Sequence, residues 1–250
     1  MKKYFILLIC LIVSAVTYGQ NKMTNVMVDA EVEVTPPQFT GIENVTALTN
    51  TDRSVLIKKY LVKNVIYPRR AAKCMREGTE VVQFTITATG ELTNFKVINS
   101  LCPEIDNEML RVLKTTDRMW KPGFNNGMPV AMEKEISMIF KSGDYNNITK
   151  YFTAKANKFF IKGNKNLYFN GNPKKALKYY NEGMRYLPYD KGLLYVRGMC
   201  LYELGDKEGA RNDWNRIVTL GGIDFGDTID FVFDSDKMKG YEEMAEILKK

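Results

Sequence analysis

Side chains able to do covalent or metal chemistry are few in this sequence and poorly spaced for it. Histidine is absent from all 250 residues, which removes Ser-His and Cys-His nucleophile pairs and every imidazole metal site. The acidic pairs Asp224 with Asp227 and Asp234 with Asp236 lack the glycine and terminal glutamate of a calcium loop and read as loop solvation. The thiols Cys74 and Cys102 lie just before and just after two strand-like runs, so antiparallel pairing of those runs brings both to one end. A disulfide there would close a loop of 28 residues. In an oxidising compartment such a bond contributes about 3–4 kcal/mol in the chain-entropy model. The alternative is two unpaired small hydrophobes. Cys200 sits among apolar residues at helical spacing and is expected to be buried. No nucleophile, base or metal constellation emerges, so the sequence predicts a chain that is not an enzyme and holds no cofactor and no metal.

The start of the chain reads as a targeting segment. Lys2 and Lys3 precede the apolar stretch Phe5 to Val16, and Thr17, Tyr18 and Gly19 form a small-residue cleavage site before Gln20. Cys10 lies inside the apolar run and reads as filler. A membrane span wants about 20 apolar residues, more than this run supplies, so a cleaved signal over residues 1–19 is expected, with an uncleaved, membrane-contacting anchor as the alternative. Its removal takes two lysines and no acid, lowering the net charge from +7 to +5. The basic residues are spread along the chain, which permits contact with anionic lipid or glycan and gives no nucleic-acid footprint. With 45% hydrophobic and 26% charged residues, the remainder can bury one or two cores.

Residues 20–52 are polar, with Val32, Val34 and Phe39 around Pro36-Pro37, and read as a linker with one strand near Ala30 to Val34. From Ser54 to Lys63, Val55, Leu56, Tyr60 and Leu61 fall at helical spacing. Tyr67-Pro68 restarts the chain in a short helix, Arg69 to Arg76, which Gly78 ends. Thr79 to Ala88 and Glu91 to Asn99 read as a hairpin turning at Thr89-Gly90, with Val82, Phe84 and Ile86 alternating against Gln83, Thr85 and Thr87. Pro103 opens a helix whose Ile105, Met109, Val112 and Leu113 share a face, and it stops before Trp120-Lys121-Pro122-Gly123. The run Val130 to Phe140 alternates Val130, Met132, Ile136, Met138 and Phe140 against Glu133, Glu135 and Ser137. The predicted class for residues 53–141 is α+β, with two helices packed on a small antiparallel sheet of three strands.

Taken in order, Tyr67-Pro68-Arg69-Arg70-Ala71, Gly78, the hairpin with Gly90, Trp120-Lys121-Pro122-Gly123 and the closing strand resemble the TonB C-terminal domain family over about residues 39–141. The resemblance implies recognition by strand addition, in which the closing strand pairs with an extended segment of an envelope partner such as a TonB-dependent outer-membrane transporter. It assigns partner binding to Val130, Met132, Lys134, Ile136 and Met138. The charges Glu133, Lys134 and Glu135 either guard the edge against wrong pairing or orient the right partner. Tyr67 and Trp120 are expected to serve packing, and Gly78, Gly90 and Gly123 backbone freedom. The energy-transducing members of the family carry a membrane anchor and a long proline-rich reach, whereas this chain begins with a signal-like segment. The expected location is therefore the periplasm, with an inner-membrane-anchored transducer as the alternative.

A repeat follows the sheet-forming region. Gly171-Asn172, Ala176, Tyr180 and Pro188 recur as Gly205-Asp206, Ala210, Trp214 and Gly222, offset by 34 residues at each point. This resembles the tetratricopeptide repeat, so residues 150–222 are expected to form an all-α, TPR-like domain of two repeats that offers a second protein-binding surface. Gly163 lies one residue off the family's place, which predicts a less regular first helix. Residues 223–250 are expected to hold a loop and a capping helix from Met238 to Leu248. Near Tyr151 to Leu167, Lys155, Lys158, Lys162 and Lys165 form a stripe opposite Phe152, Ala156, Phe159 and Gly163. A solvated face explains the stripe, and contact with an anionic surface is the alternative.

Overall fold

In the run Gly78-Thr-Glu-Val-Val-Gln-Phe-Thr-Ile86, Val82, Phe84 and Ile86 point one way and Val81, Gln83 and Thr85 the other. A strand with apolar residues on both sides needs cover on both faces, and the rest of the fold supplies it. The computed structural model describes residues 33–41, 50–222 and 238–249, with side chains of the first helix from Val55 onward. The expected signal segment, most of the linker and the aspartates between 223 and 237 lie outside these residues. The elements are β1 (Val34–Thr35), β2 (Gln38–Phe39), α1 (Asn50–Asn64), α2 (Arg69–Lys73), β3 (Gly78–Ile86), β4 (Leu92–Asn99) and α3 (Pro103–Lys114). They continue with β5 (Trp120–Lys121), β6 (Gly123–Asn125), β7 (Met128–Val130), β8 (Met132–Phe140), α4 (Ile148–Asn164), a π-helical turn (Lys165–Phe169), α5 (Pro173–Tyr186), α6 (Lys191–Glu203), α7 (Lys207–Thr219) and α8 (Tyr241–Leu248).

The main sheet is antiparallel with order β4-β3-β8. Helices α1 and α3 cover the face carrying Val82, Phe84 and Ile86, where Ile57, Leu61, Ile105, Met109, Val112 and Leu113 complete a dry core. Trp120 closes one end of that core. Its ring meets Phe84 edge-on at 5.5 Å and Phe39 at 5.1 Å, and its indole N–H donates to Thr116 Oγ1. Trp120 and its neighbours also do more than stop a helix, because β5 pairs with β2 and β6 pairs with β1. The segment Val34–Phe39 is thereby strapped across the Trp120–Asn125 region. The strand expected as one run from Val130 to Phe140 is two, since Val130 belongs to β7 and pairs with Gly123, and β8 starts at Met132.

The opposite face of the sheet meets a stack of helical hairpins, α4 with α5 and α6 with α7, and α8 packs on α7. A glycine in the first helix of each hairpin accepts a large ring from the second. A Cβ at Gly163 would lie 2.2 Å from the Tyr180 ring, and one at Gly198 would lie 2.3 Å from the Trp214 ring. The turns match as well, with Asn172 capping α5 through Lys175 N–H and Asp206 capping α7 through Gly209 N–H. The extra residue in the first hairpin is absorbed by the π-helical turn, where Asn170 N–H reaches back five residues to Lys165 O. Asn166 donates to Lys162 O and stabilises the widened backbone. Cys200 is buried in this core, and burial pushes its thiol up to about 12.

The two layers join at the start of β3. Asn99 Nδ2 donates to Thr79 O at 2.7 Å and Met184 O at 3.2 Å, Thr79 Oγ1 to Tyr186 O, and Arg185 Nη2 to Glu77 O. The α5 backbone approaches so closely that a Cβ on Gly78 would sit 2.4 Å from Arg185 O. Just beyond, Glu80 is fully buried and accepts Leu101 N–H at 2.9 Å. Burial pushes its carboxyl up to about 9, and the neighbouring Asp106 adds to the rise. Because the folded state holds this proton far more tightly than the unfolded chain, stability is greatest below the usual carboxylate range and falls as pH rises toward 9.

Replacing Glu80 by Gln keeps the acceptor for Leu101 and removes that titration. The expected result is a higher midpoint of thermal unfolding at about pH 8 and a flatter fall of stability between about pH 5 and pH 9. In the helical layer, Gly198→Ala forces a methyl against Trp214 and is expected to destabilise by about 1–3 kcal/mol in urea unfolding.

Candidate partner-binding edge

A sheet of three strands has two edges, and here they differ. Along β4 the pairing with β3 shifts register between Val81 and Val82 and again between Gln83 and Thr85, and Asn94 adopts a left-handed φ of 52°. Bulges of this kind twist an edge away from straight pairing. Strand β8 instead pairs with β3 at every position from Gly78 opposite Phe140 to Ile86 opposite Met132, with no shift. No other described strand pairs with β8, because the Val34–Phe39 segment is held at β5 and β6. Its outer backbone is the longest regular, unpaired rim among the described residues.

Beside the C-terminal half of that rim lies a groove of about 630 Å³ between β8 and the end of α1. Leu61, Val62 and Val65 form one wall, Met138, Ile139 and Phe140 the other, and Tyr67 and Tyr145 close the ends. Val62 is 73% exposed, far more than a valine facing a core, so the lining is presented to solvent. An extended segment added to β8 would hydrogen-bond along the strand while its alternate side chains enter this groove.

The positions assigned from sequence divide between several environments. Met132, Lys134, Ile136 and Met138 all lie on the core-facing side of β8, and Ile136 is buried. Val130 is not on this edge, because the chain turns at Ala131 and Val130 is taken up by β7. The neighbouring acids are also committed. Glu133 accepts from Gln83 Nε2, and Glu135 is clamped by both Arg216 Nη atoms at 2.7 Å, tying β8 to α7. Lys134 forms none of the ion pairs among the described residues, and burial pulls its ammonium below the usual lysine range. The groove residues Val62, Ile139 and Tyr145 are absent from the sequence-derived set. Val62 had a signal, being an apolar residue off the stripe of the first helix.

Cys74 and Cys102 are not bonded: Cys74 is exposed at the end of α2, and Cys102 is half-buried at the start of α3. Cys74 and Met75 form the turn that leaves α2, with Met75 at a left-handed φ of 48°. Tyr67 packs edge-on against Phe140 at 5.4 Å, as a packing residue would, and also lines the groove. Lys155 and Lys162 lean over Tyr151 and Tyr179, while Lys158 and Lys165 are exposed. Among the described residues no cluster of acids and cysteines fit to hold a metal occurs, and no helix is long and apolar enough to cross a membrane.

The span containing this sheet has a recognisable relative. Residues 63–142 match the family model of the Gram-negative bacterial TonB protein C-terminal. The matched span runs from the end of α1 through β8, so it contains the main sheet, its open edge and the β8 wall of the groove, while Lys58, Leu61 and Val62 of the other wall precede it. Two solution structures of the Helicobacter pylori TonB C-terminal domain are also similar. One is 20% identical, covering 40% of this chain and 89% of that one with a TM-score of 0.33. The other is 22% identical, covering 36% and 96% with a TM-score of 0.30. None of the curated proteins matches the chain.

Arg216→Ala leaves Glu135 partly buried and uncompensated, and is expected to destabilise by about 1–3 kcal/mol. A double-mutant cycle with Glu135→Gln, measured by urea unfolding, should return a coupling of about 1–2 kcal/mol.

Proposed function

We propose that this chain is a binding protein of the bacterial cell envelope, acting without a reactive side chain, that captures an extended segment of a partner on the outer edge of β8. The observation that carries the reading is the pairing of β8: nine consecutive residues in register with β3 on one side and no described strand on the other, beside an apolar groove. A match to the TonB C-terminal family over residues 63–142 supports a protein-interaction role of this kind. The partner we favour is an outer-membrane transporter that offers a short extended segment on its periplasmic side, and the location we favour is the periplasm after removal of residues 1–19. The stacked hairpins of residues 148–219 act in this reading as a tetratricopeptide-like second protein surface, supported by the matching glycine-to-ring contacts at Gly163 and Gly198.

Main-chain pairing supplies most of the affinity in such capture, and side chains entering the groove supply preference. The unpartnered Lys134 then fits a segment bearing an acid near the start of β8. A membrane-anchored transducer would share the edge chemistry and differ at the N-terminus. Fractionation with N-terminal sequencing separates the two, since a mature start at Gln20 excludes the tether.

Titration with fluorescent transporter-derived extended peptides tests the capture itself. The intact chain is expected to bind, and Val62→Asp, at an exposed position that folding does not depend on, should weaken binding about tenfold or more. No peptide bound by the intact chain, or equal binding by the variant, would sink the groove-assisted reading.

A further inference from the structure

On the sheet face opposite α1 and α3, the two layers leave a second cleft of about 540 Å³, within the range of small-ligand sites. Its sheet wall carries Gln83, Lys96 and Glu133, which share a face because Gln83 lies opposite both Lys96 and Glu135, and Thr85 opposite Glu133. Its helical wall is one stripe of α7, where Asn212, Asn215 and Thr219 stand side by side at spacings of three and four residues. The floor is electrically closed. Arg197 forks onto Asp213 at 2.6 and 2.7 Å, and Arg216 onto Glu135 at 2.7 Å, so these four charges are matched inside the protein. The charges on the two outer strands are not. Lys96 on β4 and Glu133 on β8 are exposed and form none of the ion pairs among the described residues. Asn212 and Asn215 are exposed too, and their carboxamides make no hydrogen bond among the described residues.

Solvation explains a polar cleft but not one unpaired cation and one unpaired anion set apart across a neutral floor. A neutral glycan would leave both charges unused, and a polyanion would meet Glu133. Lys96 and Glu133 lie two strands and two residues apart, about 12 Å on a pleated sheet. An extended tripeptide spans about 10–11 Å between its ends, and its amides match carboxamide side chains, which donate and accept together. We propose that this cleft binds a short peptide of about three residues with both termini free, its carboxylate at Lys96, its ammonium at Glu133 and its main chain on Asn212 and Asn215. The β8 edge instead takes an interior stretch by strand pairing, so the cleft stands whether or not that capture does.

Calorimetric titration of the full chain with trialanine tests this. Trialanine is expected to bind, and N-acetylation or C-amidation of the peptide should each weaken binding about fivefold or more. The two losses should map onto separate residues. In Lys96→Met, amidation costs nothing further while acetylation still does, and in Glu133→Gln the reverse holds. Asn212→Ala with Asn215→Ala, both at exposed positions, should weaken binding about tenfold with an unchanged thermal midpoint. No binding of trialanine at up to about 10 mM, equal binding of the capped and free peptides, or an amidation loss that persists in Lys96→Met overturns the proposal. Binding of a trimer of N-acetylglucosamine in place of trialanine overturns it as well, in favour of a glycan.

Discussion

Strand β3 has to be satisfied on four sides at once, and the rest of the molecule follows from how this is done. Its residues are almost all buried, so both faces and both edges must be covered by something chemically suitable. The face of Val82, Phe84 and Ile86 takes the apolar sides of α1 and α3. The other face, at Thr79 and Asn99, takes the polar backbone end of α5, where carbonyls of Met184 and Tyr186 accept hydrogen bonds that would otherwise be lost on burial. The residue that opens the strand has to be glycine because Arg185 O occupies the place of a side chain. A single strand thus welds the sheet to the helical layer, and Arg216 with Glu135 repeats the weld at β8.

Covering β3 moves the problem of unpaired backbone outward to β4 and β8. Bulges and a left-handed Asn94 blunt β4, whereas β8 stays straight. The acids that a guarded edge would carry outward are here drawn onto the helical side, by Gln83 and Arg216, which leaves the rim lined by main chain and the groove by apolar groups. Lys134 remains as an inward charge, a device that penalises pairing with a wholly apolar strand.

Much of the sheet was legible because its signals are local. Alternation at Val82, Phe84 and Ile86, Pro103 at a helix start, and Gly90 in a turn each fix an element without reference to the rest. The displaced Gly163 foretold an irregularity in the first helix of the pair, but not that it would be a π-helical turn after Asn164. What escaped depends on long-range geometry. Nothing near Val130 says that Gly123 will take it into a separate hairpin, and nothing near Val34 says that Phe124 and Asn125 will pair with it. The groove was missed for the same reason: Val62 and Ile139 lie 77 positions apart in sequence. The positions that the resemblance assigned on β8 are its core-facing ones, the same residues whose alternation reveals the strand.

The central claim is that the outward amides of β8 are open in the free protein and close on a partner. Residue-resolved hydrogen exchange reads this directly. In the free chain, alternate amides from Met132 to Phe140 should exchange slowly, bonded to β3, with the intervening ones fast. Saturation with a captured peptide should slow the intervening set. Uniform protection before any peptide is added, or a bound peptide that leaves the fast set unchanged, would contradict the claim.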